Sequence, residues 1–285
     1  MKIALKFGAG EVSWRADNSD AAGMLRLERL KSSVGMDEMP DDGEAACRIV
    51  PCGEFGTRGV GISRHGMRID FTQAAERGAE TAFFDGAVPE DELEATRWRG
   101  VRKLLFLGLV PRMLRRECAM VHGALMEKDG RGVLLCGPSG IGKSTTARRM
   151  AAEGFDILAD DCFLLRRGER GDYWARGLPT WSVYLFGKEA LARCDARREF
   201  PVSGLLILGR KEERYTPLEP RMALLGCANA FTDMVKWHTF RYPETLAAAL
   251  IDRALAAAEK LTVELPCGAL QLTIDCNISR LLPDF

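Results

Sequence analysis

Apolar and polar positions along this chain change rhythm part-way through. In residues 1–88 they alternate only over short runs, Lys2–Phe7, 48–50 and a hairpin-like stretch at 59–71, divided by Gly- and Asp-rich segments. Period-two alternation between turn residues predicts strands, and their shortness predicts a small α+β domain. The acidic stretch 37–43 contains Pro40 and reads as a loop. Pro89 followed by Glu90, Asp91 and Glu92 places a proline and three acids where a helix N-terminus favours them, opening a bridging helix to about Val110. From Cys118 onward strand patterns alternate with helix patterns, the signature of an α/β sheet layered with helices. Within that part 200–210 reads as a plain buried strand and 222–230 as a helix whose Met and Leu are packing residues. Pro243 and Glu244 open a long Ala/Leu helix to about Lys260, with strands expected at 261–265 and 270–274.

One segment carries explicit chemistry. The apolar strand 133–136 runs into Gly137-Pro138-Ser139-Gly140-Ile141-Gly142-Lys143-Ser144 and then into a helical stretch ending at Gly154. That is G-x-x-x-x-G-K-S between a strand and a helix, the setting in which it cradles a nucleoside triphosphate. The glycines let backbone N–H groups close around the β-phosphate, Lys143 reaches the β and γ oxygens, and Ser144 ligates Mg²⁺. Pro138, Ser139, Ile141 and Thr145 complete the predicted contact set, and the helix dipole adds to it.

Two neighbours extend the site. Asp129-Gly130 favours a two-residue type I′ hairpin turn between 120–128 and 131–136. Facing Lys128 with Arg131 and counting back sets His122 opposite Gly137, at the mouth of the phosphate loop. Downstream, 155–159 reads as a strand ending in Asp160-Asp161. A right-handed β-α-β crossover makes it parallel to 133–136, so Asp160 emerges at the phosphate-loop edge, where a carboxylate can accept a hydroxyl proton or hold Mg²⁺. Asp160 and Asp161 allow both tasks without saying which does which.

Composition narrows the partners. Lys plus Arg and Asp plus Glu are 40 each, so no global field favours nucleic acid or an anionic membrane. The longest apolar run, 104–110, is broken by Gly108 and is short against the roughly 20 residues of a membrane span. With no secretory pattern at the N-terminus, the expectation is a cytoplasmic protein. Nine cysteines without a C-x-x-C pair argue for reduced thiols rather than a disulfide framework or zinc ribbon, with Cys136, Cys162 and Cys267 acting as small hydrophobes.

Taken together, Val121-His122-Gly123, the loop 137–144 and Leu158-Ala159-Asp160-Asp161 resemble the kinase domain of bacterial HPr kinase/phosphorylase. They look most like the divergent HPr-kinase-like enzymes of peptide-modification gene clusters, including SynChlorMet-type cassettes. The resemblance covers 118 to about 190 and implies an HPr kinase/PEP carboxykinase-like P-loop domain over 89–285, with a smaller N-terminal α+β domain over 1–88 for substrate or partner recognition. It implicates His122, Lys143 and Ser144, with Asp160 as catalytic base. Arg176-Gly177-Leu178 with Leu185-Phe186-Gly187 is similar to the family's second signature, which makes Arg176 a phosphate contact as against a surface strand residue. An acidic metal ligand stands two before that Arg in the family; here the position is Trp174, which leaves Mg²⁺ to Ser144, Asp160 and Asp161 with waters. The family's later basic loop is not found in 200–210, so reversal of the reaction is not implied.

The expectation is therefore an ATP- and Mg²⁺-dependent transfer of a γ-phosphate to a Ser or Thr hydroxyl of a peptide or small protein, ribosomal peptide precursors included. A non-catalytic ATP-binding partner in a peptide-biosynthesis complex, a small-molecule kinase and a homo-oligomeric state stay open.

Overall fold

The computed structural model describes residues 1–7, 10–16, 18, 19, 24, 27, 28, 31, 36–40, 47–51, 67–70, 80–84, 110, 118–178, 198–239, 244–273 and 275–282. The chain divides into two compact units, Met1–Met113 with His238–Ala247, and Leu114–Trp237 with Ala248–Phe285. The bridging helix expected at 89–110 falls outside the described residues except for Val110, which is helical and buried.

The first unit holds a six-stranded mixed sheet in the order β3-β1-β2-β4-β6-β5. β1 (Lys2–Phe7) and β2 (Gly10–Ala16) form an antiparallel pair with Lys2 opposite Arg15. Ile3, Leu5, Phe7 and Trp14 are fully buried, so these strands carry the core of the unit. β2 runs parallel to β4 (Cys47–Pro51), and β4 parallel to β6 (Glu80–Phe84). Two expectations change. Asp37–Met39 is not loop but an edge strand, β3, pairing with β1; exposed Asp37 and Glu38 suit an edge that must not recruit a further strand. β5 (Met67–Asp70) pairs with β6, and the other arm of the hairpin expected at 59–71 lies outside the described residues.

The second unit is built on a nine-stranded sheet whose main path runs β10-β8-β9-β13-β12-β11-β7. Its spine is the eleven-residue β13 (Glu199–Gly209). The first residues of β13 pair with β12 (Tyr173–Gly177), and its later ones run parallel to β9 (Arg131–Cys136) and β15 (Cys267–Gln271). Two wings result. One holds β8 (Ala124–Lys128), β9 and β10 (Asp156–Ala159); the other holds β7 (Cys118–His122), β11 (Cys162–Arg167) and β12. β14 (Arg214–Pro217) caps β15 in antiparallel register.

Both faces of the first wing are covered. On one side Ala124, Met126, Val133, Leu135, Leu206, Leu208 and Leu270 pack with Ala147 and Met150 of α1 (Lys143–Ala152). On the other, Ile207 meets Gly226 of α2 (Pro220–Thr239) so closely that a Cβ there would stand 2.8 Å from its Cγ2. A sheet covered on both faces needs near-continuous apolar strands, and β9 is buried from Gly132 to Cys136. α1 ends in a Schellman turn, with Gly154 N–H donating to Ala151 O and Phe155 N–H to Met150 O, which turns the chain straight into β10.

Helix lengths depart from expectation. α2 extends well past 222–230, through Thr239. The strand expected at 261–265 is the end of α3 (Glu244–Glu264): Leu250, Ala254, Ala258, Leu261 and Thr262 form one buried helical stripe, and that packing overrides the β preference of Thr262 and Val263. The following strand accordingly starts at Cys267, immediately after Pro266, rather than at 270. Glu264 is held by both guanidinium arms of Arg167, at 2.8 and 2.9 Å, and by the Tyr173 hydroxyl at 2.7 Å, which ties the end of α3 to β11 and β12.

Candidate active site

The hairpin preceding the phosphate loop has the register counted from its turn. Lys128 faces Arg131 and Ala124 faces Leu135, with Asp129 and Gly130 at φ 54° and 80°. The count stops at Ala124, two residues short of His122. At Gly123 the chain turns a corner, a Cβ there would lie 2.7 Å from Leu135 O and 3.0 Å from Phe163 Cε1, and His122 belongs to β7 in the other wing. Its partner is Cys162 rather than Gly137.

That corner organises the site. β10 runs in the same direction as β9, as the crossover argument required, but β8 lies between them, antiparallel to both. Beyond β10 the chain passes through Asp160-Asp161 into β11 of the second wing. It therefore changes wings twice, at Gly123 and at the Asp pair, and the two crossings are joined by Gly123 N–H donating to Asp161 O at 3.1 Å. His122 Nε2 stands 3.6 Å from Asp161 Oδ1, an ion-pair distance when the imidazole is protonated. The imidazole also meets the Trp237 ring, centroids 4.8 Å apart and planes inclined at 58°. Trp237 is 45% exposed, so α2 presents an open aromatic surface beside the Asp pair.

The phosphate loop joins the same corner. Ser144 Oγ donates to Asp160 O at 3.2 Å, placing the start of α1 against the end of β10. Gly137, Gly140 and Gly142 adopt φ of 150°, 77° and 105°, which suits the inward-facing amides of a phosphate cradle. Pro138, Ser139 and Gly140 are exposed, Ile141 is half-buried and Thr145 is exposed on the first turn of α1. No side chain caps α1 at Gly142 and its first turn contains no acid, so the positive end of the helix is left for an external anion. Lys143 is buried, and its ammonium donates to Gly137 O at 2.9 Å and Pro138 O at 3.2 Å. Burial pulls its pKa below the ordinary lysine value, partly opposed by Cys136, Asp161 and Asp233. Asp233 stands one helical turn before Trp237, so α2 brings an acid as well as an aromatic towards the loop.

Arg176 is not a surface residue. It is buried in β12, opposite Leu164 on one side and Glu199 on the other. Gly177 permits a close approach to the first wing: a Cβ there would meet Leu158 O at 2.1 Å. Trp174 faces Arg166, whose Cζ lies 5.4 Å from its ring and whose guanidinium grips Glu199 at 2.8 Å. Arg166 is four residues along β11 from Cys162, the partner of His122, roughly 13 Å at strand rise. A side chain at 174 is therefore directed to Arg166 and away from the Asp pair. The stretch 185–187 lies outside the described residues.

Sequence reading missed three neighbours of this site: Trp237, Asp233 and Arg210. Only a Trp next to a His on an apparent helix hinted at the first. The buried thiols are as expected, Cys267 pushed up to about 11 and Cys227 to about 12 by burial. Among the described residues no group of three or more His, Cys, Asp or Glu could hold a metal by itself, and no helix is long and apolar enough to cross a membrane.

Residues 97–280 match the family described as SynChlorMet cassette protein ScmC. A stretch of 96 residues is 33% identical to the HPr kinase/phosphorylase of Bacillus pumilus, covering 30% of this chain and 31% of that protein. Another of 65 residues is 43% identical to the HPr kinase/phosphorylase of Leptospira biflexa, covering 22% and 20%. The chain thus spans a third or less of the length of these curated relatives. Among solved structures, the HPr(Ser) kinase/phosphatase from Coxiella burnetii aligns over 57% of this chain and 84% of its own, at 14% identity and a TM-score of 0.32.

Proposed function

Because the chain belongs to the family of SynChlorMet cassette protein ScmC, with HPr kinase/phosphorylase relatives, we propose that it is a Mg²⁺-ATP-dependent kinase that phosphorylates a Ser or Thr hydroxyl of a peptide or small protein. The observation that supports this reading is the Ser144 hydroxyl donating to the backbone oxygen of Asp160 at 3.2 Å, which sets the start of α1, the proposed metal contact, against the two residues that carry the Asp carboxylates. The donor set fits the cofactor. Mg²⁺ keeps several waters and takes only one or two carboxylates alongside phosphate oxygens, so Ser144 with Asp160 and Asp161 suffices without a protein cage. Bound there, the ion would neutralise charge on the β and γ oxygens of ATP.

The chain's own groups divide the remaining work. Amides of 140–144 and the Lys143 ammonium hold the polyphosphate, and the lowered pKa of that buried lysine is restored by the anion it grips. Asp160, 2% exposed, takes the acceptor hydroxyl's proton as the hydroxyl oxygen attacks the γ-phosphorus and the bond from that phosphorus to the β–γ bridging oxygen breaks, releasing ADP. Asp161 and His122 form the adjoining pair that steadies the corner and takes part in metal binding through Asp161. Trp237 covers His122 on the open side, where an acceptor side chain would enter. The first unit, with phosphoryl chemistry complete without it, is the recognition module for acceptor or partner.

The test is intact-mass spectrometry of peptides encoded near the gene after incubation with the protein and Mg²⁺-ATP. One 80 Da increment per modified hydroxyl is the expected product, and Asp160→Asn should slow its formation by about 10²- to 10⁴-fold while ATP still binds. ATP binding with no product from any such peptide would instead favour a non-catalytic partner role.

A further inference from the structure

Arg210 ends the segment that reads in sequence as a plain buried strand, yet it lies on the phosphate loop. β13 runs parallel beside β9 with Ile207 opposite Cys136, so both strands finish at one edge, and Arg210 comes three residues after Ile207 at that edge. Gly142 is the N-cap of α1, and a Cβ on it would stand 2.5 Å from Arg210 Nη2, 3.4 Å from Cζ and 3.6 Å from Nε. The guanidinium thus fills the space left by the missing side chain of Gly142.

This is an unusual resting place for a cation. It adjoins the positive end of a helix and the residue before Lys143, with no acid in the first helical turn to balance it. Arg210 is exposed, and among the described residues no hydrogen bond or ion pair engages it. An unpaired guanidinium, a buried ammonium and a set of uncapped amides converge on one small volume. Each favours an anion, and a guanidinium fork matches two phosphate oxygens at once.

We propose that Arg210 is a second cationic contact for the nucleotide polyphosphate, turning from its place over Gly142 to grip phosphate oxygens opposite Lys143. The assignment rests on the kinase reading above and adds a binding residue to it. It also accounts for Gly142: a side chain there would be strained at φ 105° and would displace the arginine.

Calorimetric titration of Mg²⁺-ATP, tripolyphosphate and AMP into the parent chain, Arg210→Gln and Arg210→Lys separates the possibilities. Loss of one charge-assisted, two-pronged contact predicts ATP and tripolyphosphate binding about 10- to 100-fold weaker in Arg210→Gln, AMP binding unchanged, and partial recovery in Arg210→Lys. The exposed position predicts unaltered melting, and Arg210→Lys serves as the readout if the Gln variant misfolds. Equal ATP affinity in parent and variants overturns the proposal, as does tighter binding in Arg210→Gln, which would make the guanidinium an obstruction. Failure of the parent itself to bind ATP overturns the kinase reading on which the proposal stands.

Discussion

The two wings of the nine-stranded sheet share a spine but differ in what they hold. The wing of β8, β9 and β10 is closed on both faces by α1 and α2, and its strand ends present the phosphate loop and Asp160, with Arg210 following the spine strand β13 at the same edge. The wing of β7, β11 and β12 keeps His122 and Arg176 but carries Trp174 beside Arg166 in place of an acid, and Glu199 is already committed to Arg166. The parts proposed to grip a polyphosphate thus gather at one edge of the first wing, while the other wing carries an aromatic next to an ion pair where the signature of the resembled family has an acid. Triphosphate binding should therefore respond strongly to mutation in the first wing and little to mutation at position 174.

The largest effect tests the first wing. Lys143→Met removes the buried ammonium and should weaken Mg²⁺-ATP binding at least about 100-fold by calorimetry, with little change in melting temperature. Gly142→Ala should weaken binding by a smaller factor, because a side chain at φ 105° strains a left-handed backbone while the guanidinium tip of Arg210 can turn aside. The second wing should behave differently. Trp174→Glu restores the acid of the resembled family, yet Arg166 is positioned to capture the new carboxylate. The Mg²⁺ concentration giving half-maximal phosphorylation should then move by less than about threefold. A large fall in that concentration would show that position 174 does reach the metal and that the wings are not independent.

Smaller still is an effect on the scaffold shared by both. Glu264→Ala breaks the contacts to Arg167 and Tyr173 and should cost about 1 kcal/mol by denaturant titration, a modest figure because the pair is partly exposed. ATP affinity should not change. The subtlest prediction concerns protons. Burial holds the Lys143 pKa below its usual value in the free protein and bound polyphosphate raises it, so binding at alkaline pH takes up protons. Affinity should fall as pH rises through the free-protein pKa, and proton uptake should vanish in Lys143→Met. Proton release in place of uptake would contradict this sign.

Local chemistry made much of this legible. Asp129-Gly130 fixed the hairpin, the Gly-rich run fixed the loop, and right-handed crossover set the direction of the strand before Asp160. What stayed hidden depends on distant chain. Nothing near His122 announces that Gly123 sends the ladder round a corner, since the cause is the packing of Leu135 and Phe163 against that glycine. Arg210 reaches the loop only through the pairing of β13 with β9, and Trp237 only through α2 crossing the sheet. The run of α3 through Thr262 and Val263 reflects burial of a helical stripe that outweighs local preference.

One wing is proposed to build a working polyphosphate cradle, and titrating Mg²⁺-ATP into the 285-residue chain in a calorimeter is the decisive check. Saturable binding at one site per chain, lost in Lys143→Met, is the predicted result; no heat of binding in the parent, or equal binding in the variant, would contradict it.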